Sequence, residues 1–319
     1  MFEFLITLFL AAAIMISLMA VGVAITMPFH GALVRLRANY NPHAVGLDAQ
    51  TRVGPTLTTL IGTLKRTKQL EGWWGLWKGT YPTLAYTTLV SIASIIFVGG
   101  SSTRGPKNTY SVPEAGGVRM GLFTIVLTLI ALPMTVIINR SIITPYKLPN
   151  NPATSLRVLL SPHELAKPYM LYLTPGLLAT TFIHSLCVTL VARTMRVFFL
   201  GASAPEDISD SISPWRWAVF IIWQALATAW LTPLEVVSTR LSVQPNTPGA
   251  IATDEEESGP PEGVSFCGTD EDVIGLRPTT DPYLGLLDCG RKVIEEEGWQ
   301  SLYRGFWWTM LSNVFGAFA

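Results

Sequence analysis

Few side chains in this sequence could do covalent chemistry, and none is grouped as such chemistry requires. The four histidines, His30, His43, His163 and His184, do not stand at zinc-ligand spacings, and Cys187, Cys267 and Cys289 contain no Cys-x-x-Cys pair. There is no glycine-rich phosphate loop and no nucleophile elbow. An enzyme is therefore not expected, nor a metal or a cofactor. The spacing that does recur is electrostatic. Pro28, Pro133 and Pro233, roughly one hundred residues apart, are each followed seven residues later by arginine: Arg35, Arg140 and Arg240. A second string occurs twice, as Glu71-Gly72 leading to Trp77-Lys78-Gly79 and as Glu297-Gly298 leading to Tyr303-Arg304-Gly305. Acid, base and glycine at fixed offsets suit ion pairing and close backbone approach.

The elements that must carry these groups are apolar. With 49% hydrophobic and 14% charged residues in 319, the composition excludes an ordinary soluble domain, and the equal numbers of basic and acidic residues, 22 each, give no reason to expect nucleic acid. Six stretches lack Asp, Glu, Lys and Arg: Phe4 to Val34, Gly79 to Thr103, Met120 to Asn139, Pro168 to Ala192, Trp217 to Leu234 and Gly305 to Ala319. The first five are long enough to cross a bilayer, and the sixth is short. The first is too long for a signal peptide and is read as a retained membrane helix, kinked at Pro28. Long polar loops alternate with short Gly/Ser/Pro links such as Gly99 to Gly105 and Gly201 to Pro214, so the chain reads as three helix hairpins over 1–108, 109–210 and 211–319. The last long loop, 244–281, holds Asp254-Glu255-Glu256-Glu257 and Asp270-Glu271-Asp272 and is expected to be a disordered acidic insertion.

The two strings resemble the halves of the mitochondrial carrier signature, Pro-x-acidic-x-x-basic-x-basic at the end of odd helices and acidic-Gly-x4-aromatic-basic-Gly at the start of even ones. In the middle repeat the second half has decayed to Tyr172-Leu173-Thr174-Pro175-Gly176. The resemblance implies an all-α integral membrane protein with six transmembrane helices, three tandem hairpins about a pseudo-threefold axis, in a mitochondrial membrane. It also implies a short surface helix in each long loop, which Thr59 to Leu70 and Ser155 to Leu160 would fit. Trp73, Trp74, Trp77, Trp307 and Trp308 equally suit an interfacial aromatic belt.

The sequence departs from that pattern at the gates. Two residues after each Pro stand His30, Thr135 and Glu235, and five after stand Leu33, Ile138 and Ser238, so the resemblance leaves one acid of three and no base for the inter-helix ion pairs. Arg35, Arg140 and Arg240 are expected to reach Glu235 or lipid phosphates, or to snorkel at the helix ends. No aromatic-acidic-x-x-basic string follows Phe97 or Phe199, and the sequence ends where a third would be expected. Substrate contacts implied by the family fall at Tyr86 and Thr87, Ile183 and His184, and Ser312 and Asn313, none of them Lys, Arg, Asp or Glu. The first functional reading is a carrier of a small, weakly charged solute. The second is a non-transporting carrier fold of the outer membrane that engages other mitochondrial membrane proteins as insertase, fusion adaptor or docking partner.

Overall fold

Long runs without charge can satisfy their backbone only internally, and in the computed structural model they do so as helices. It describes residues 2–43, 55–101, 103–104, 110–111, 118–149, 151–200, 213–246, 265–268 and 272–316. Among the described residues, four helices are long and apolar enough to cross a membrane: α1 (Phe2–Ala38), α3 (Thr80–Ser101), α4 (Val118–Ile143) and α9 (Pro214–Val243). A fifth apolar stretch is interrupted: α7 (Leu177–Leu186) passes through a π-turn at Cys187–Val191 into α8 (Ala192–Leu200). The last, α11, spans Phe306–Gly316. Ile14, Leu18, Val21 and Ile25 on α1, Ile95 and Ile96 on α3, and Ile222 and Leu226 on α9 face outward, as lipid-facing side chains do.

Helices α1, α4 and α9 touch one another pairwise; α3 lies against α1 and α4, α7 against α4 and α9, and α11 against α9. Between these come short helices: α2 (Leu60–Gly75), α5 (Pro152–Leu159), α6 (Pro162–Ala166) and α10 (Leu286–Glu297). Short helices thus appear near 59–70 and 155–160, where they were expected, and α10 supplies one in the third long loop, where a helix was expected but no residues had been assigned to it. Thr59 caps α2 through the amide of Gly62, and Ser161 with Glu164 forms a reciprocal capping box on α6. The expected link between α3 and α4 contains a two-residue antiparallel pairing, Thr103–Arg104 with Tyr110–Ser111.

The acidic insertion requires correction in part. Residues 247–264 and 269–271, with the acidic cluster at 254–257, lie outside the described residues. The remainder packs as a strap across the ends of the long helices. The amide of Lys147 donates to the Ser265 carbonyl and that of Cys267 to the Pro145 carbonyl, both at 2.9 Å. Val273 and Ile274 are buried with Leu36, Ala38 and Leu57. Asn39 Oδ1 accepts from the Gly275 amide at 2.9 Å, and the Tyr40 amide donates to the Gly275 carbonyl at 2.8 Å. Two apolar residues and these backbone hydrogen bonds seat residues 265–268 and 272–275 against the helix ends.

Candidate functional site: a polar ring at the ends of the long helices

Each of α1, α4 and α9 contains a proline, at 28, 133 and 233, and runs through it. Proline lacks an amide hydrogen, so the carbonyl four residues earlier loses its helical donor. Those carbonyls are Ala24, Leu129 and Ala229, and each accepts from an aromatic side chain of a neighbouring segment. Trp77 Nε1 donates to Ala24 at 2.9 Å, Tyr172 Oη to Leu129 at 2.9 Å and Tyr303 Oη to Ala229 at 3.1 Å. The aromatic position of the sequence string is thus a hydrogen-bond donor to the helix that proline weakens, although Trp73, Trp74 and Trp307 point outward.

Seven residues beyond each proline, the arginines are buried, at 1% exposure for Arg35, 5% for Arg140 and 4% for Arg240, which excludes snorkelling. They reach neither Glu235 nor the lipid interface, because each has an acid closer at hand. Arg35 Nη2 donates to Glu71 at 2.7 Å, and Lys78 Nζ takes the other oxygen of that carboxylate at 2.8 Å. Arg140 binds Glu164 through two bonds, 2.6 and 2.9 Å. Arg240 binds Glu297 in the same bidentate manner, and Arg304 Nη2 adds a third cationic contact at 2.9 Å. Removing either partner would leave a buried charge uncompensated, at a cost of about 3–5 kcal/mol. Burial alone would push the Glu164 carboxyl up, but Arg140 and the amides of Asn246 and Ser161 hold it below the ordinary glutamate range.

The same cations tie the helix ends together. Lys78 donates to the Thr144 carbonyl just beyond α4, at 2.7 Å. Arg140 donates to the carbonyls of Ser242 and Gln244 at the end of α9, at 3.2 and 2.8 Å. Arg240 donates to the carbonyls of Arg37 and Asn39 at the end of α1, at 3.1 and 3.0 Å. Each group of charges neutralises its own acid and caps the carbonyl-rich end of the next long helix, closing a cycle.

An inter-helix acid–base pair exists where the sequence pattern left none. Glu235 on α9 accepts from Arg37 on α1 and from Thr309 Oγ1 on α11, each at 2.5 Å, and His184 Nε2 on α7 stands 3.6 Å from its other oxygen. Arg37 lies one helical turn beyond Leu33, so the base reaches the acid from a shifted position that a fixed-spacing search misses. Glu164 was missed for a related reason: it precedes Gly176 by twelve residues, whereas Glu71 and Glu297 precede Gly79 and Gly305 by eight. The string in the middle segment is stretched; its acid, aromatic and glycine all remain, as Glu164, Tyr172 and Gly176. Its visible signal was the capping box Ser161-Pro162-His163-Glu164.

Gly79, Gly176 and Gly305, at the entries to α3, α7 and α11, share left-handed backbone, with φ of 84°, 76° and 82°. A side chain at Gly79 would strike Ile142 and Met27, and one at Gly305 would strike Leu33. Gly72 and Gly298, which directly follow the paired acids, also have positive φ. Residues 221–319 match the family described as mitochondrial carrier protein. Over its last third, this chain is similar to the mitochondrial carrier family. No curated protein matches it.

Of the substrate contacts expected from the carrier resemblance, Ser312 and Asn313 on α11 line a cavity with α9 and the π-turn. Tyr86 instead packs against the cluster of Val23, Met27, Val34, Ile138 and Ile142. Thr87 bonds its hydroxyl to the Leu84 carbonyl, Ile183 is outward-facing, and His184 belongs to the Glu235 group. The six residues do not form one contact set around a shared cavity.

Proposed function

We propose that this protein is a multi-pass carrier of a mitochondrial membrane that moves a small solute without strong charge. Its six apolar segments would form three tandem hairpins whose long helices part and rejoin at one end. The observation that carries this reading is the cycle of charges: each arginine group pairs with its own acid and reaches the end of the next long helix through a cation–carbonyl bond. Such links can be broken and remade at modest net free energy when solvent enters. The three-fold recurrence of a proline-freed carbonyl, an aromatic donor, a buried Arg–Glu pair and a left-handed glycine supports the tandem arrangement.

Purified protein in liposomes should take up labelled uncharged or zwitterionic metabolites saturably and leave nucleotides and dicarboxylates outside. Arg37→Ala should change the rate while the protein stays folded. A folded, oriented protein that moves none of these solutes would remove the transport reading.

A second reading, a carrier fold that engages other proteins in the outer membrane, is favoured by the strap. Residues 265–268 and 272–281 bond to both Pro145 and Lys147 after α4 and Asn39 and Tyr40 after α1, which resists their separation. Protease accessibility separates the two readings by place. Cleavage near Glu257 in intact mitochondria would support the outer membrane, and protection until the inner membrane is opened would support the inner.

A further inference from the structure

The cavity between the π-turn, α9 and α11 has a volume of about 310 Å³ and is lined by Cys187, Trp223, Gln224, Trp230, Ser312 and Asn313 together with small and aliphatic residues. No lining residue is charged. Trp223 Nε1 is buried and has no hydrogen-bond partner, although an indole N–H inside a protein ordinarily finds an acceptor. Asn313 Nδ2 is engaged at 3.3 Å with Thr228 Oγ1, which holds that amide in place. The π-turn carries Cys187, Val188 and Val191 to the cavity wall; such a turn widens a helix by one residue and is often kept where a ligand binds. Trp223 and Trp230, with ring centroids 5.6 Å apart, supply aromatic surface beside the unpaired donor.

We propose that this cavity is a binding site for an uncharged molecule with a flat apolar body and a hydrogen-bond acceptor, such as an aromatic amide. The acceptor meets Trp223 Nε1, the body lies on the two indoles, and Gln224, Ser312 and Asn313 supply further neutral hydrogen bonds. An anion is disfavoured because no lining residue is a cation that could balance it. The proposal rests on the carrier reading for its meaning, as the solute site, but not for its existence, since binding is measured without transport.

The test is ligand-observed saturation-transfer NMR on the full chain in lipid nanodiscs, with benzamide as probe, benzoate as its charged counterpart and empty nanodiscs as blank. Benzamide should bind at about 1 mM, ordinary for a ligand of that size, and benzoate should give no signal above the blank. Trp223→Phe, which keeps an aromatic ring and removes the donor, should weaken benzamide about fivefold, the worth of one neutral hydrogen bond. Gln224→Leu is the second variant, should Trp223→Phe fail to fold, and should weaken it similarly. No benzamide signal above the blank, equal binding of benzoate, or full binding by a folded variant each overturns the proposal. Binding without any liposome uptake would keep the site and remove the carrier reading; uptake without binding would do the reverse.

Discussion

A proline inside a membrane helix leaves a carbonyl that water cannot reach, and the free energy of that orphan sets what the neighbouring side chain contributes. Tyr172 and Tyr303 each end in a hydroxyl bonded to such a carbonyl, so replacing either by Phe should cost about 1–2 kcal/mol. The cause can be isolated by a double-mutant cycle. Pro133→Ala restores the amide that bonds the Leu129 carbonyl within α4, so Tyr172→Phe should cost much less in that background when melting is followed in detergent. Equal cost in both backgrounds would mean that Tyr172 acts through packing alone. At this scale the sequence showed the arginines and two of their three acids by simple spacing. Glu164 and Arg37 escaped because a four-residue insertion and a one-turn shift preserve spatial meetings while destroying the sequence offset. The Arg–Glu pairings themselves were not legible, since burial decides between a snorkelling arginine and a paired one, and burial depends on how the helices pack.

The elements were more legible than their partners. Charge-free stretches located α1, α3, α4 and α11 to within about four residues, because hydrophobic length alone reports them, whereas the stretches ending at Ala192 and Leu234 stop eight or nine residues short of the ends of α8 and α9. The π-turn at Cys187–Val191 carries no comparable signature, and α10 was hidden behind the acidic insertion although it presents Cys289, Val293 and Glu297 to the interior. Glycines at the element boundaries divide into two kinds, which substitution should distinguish. A Cβ at Gly72 would meet nothing within 4 Å, so Gly72→Ala carries only the strain of its backbone, φ 72° and ψ −166°, about 1–3 kcal/mol. A Cβ at Gly176 would lie 2.3 Å from the Leu286 amide nitrogen and 2.7 Å from the Gly285 carbonyl carbon, backbone atoms that no rotamer change can move. Gly72→Ala should therefore give a folded protein with a lowered melting temperature, whereas Gly176→Ala should give little monodisperse protein on gel filtration. Similar melting temperatures for the two variants would show that the start of α10 is not seated against Gly176.

Across the whole molecule, the strap and α10 join the ends of helices that the chain itself places far apart, and one cationic residue organises that junction. Arg277 holds Glu296 through two bonds, 2.6 and 2.8 Å, stands over the rings of Tyr40 and Tyr283, and also pairs with Asp281. Burial would push the Glu296 carboxyl up, but the hydrogen bonds from Arg277 and from Tyr40, the latter at 2.8 Å, bring it below its ordinary value of 4.5. A carboxyl whose folded value is depressed stabilises the fold above its unfolded value and loses that contribution as pH falls through the folded one. Burial and the neighbouring Glu296 push the Tyr40 hydroxyl up to about 12, so it stays a donor over the whole range in which Glu296 titrates. Wild-type protein should therefore melt above Glu296→Gln at neutral pH, and the gap should close as the pH is lowered below about 4.5, because both proteins then carry an uncharged group at that position. The glutamine keeps the size and can still accept from Tyr40, so the difference reports the charge facing Arg277. A gap that persists unchanged well below that pH would mean that the junction is held by Tyr40, Tyr283 and the buried pair Val273 and Ile274, with the Arg277–Glu296 bridge contributing nothing measurable.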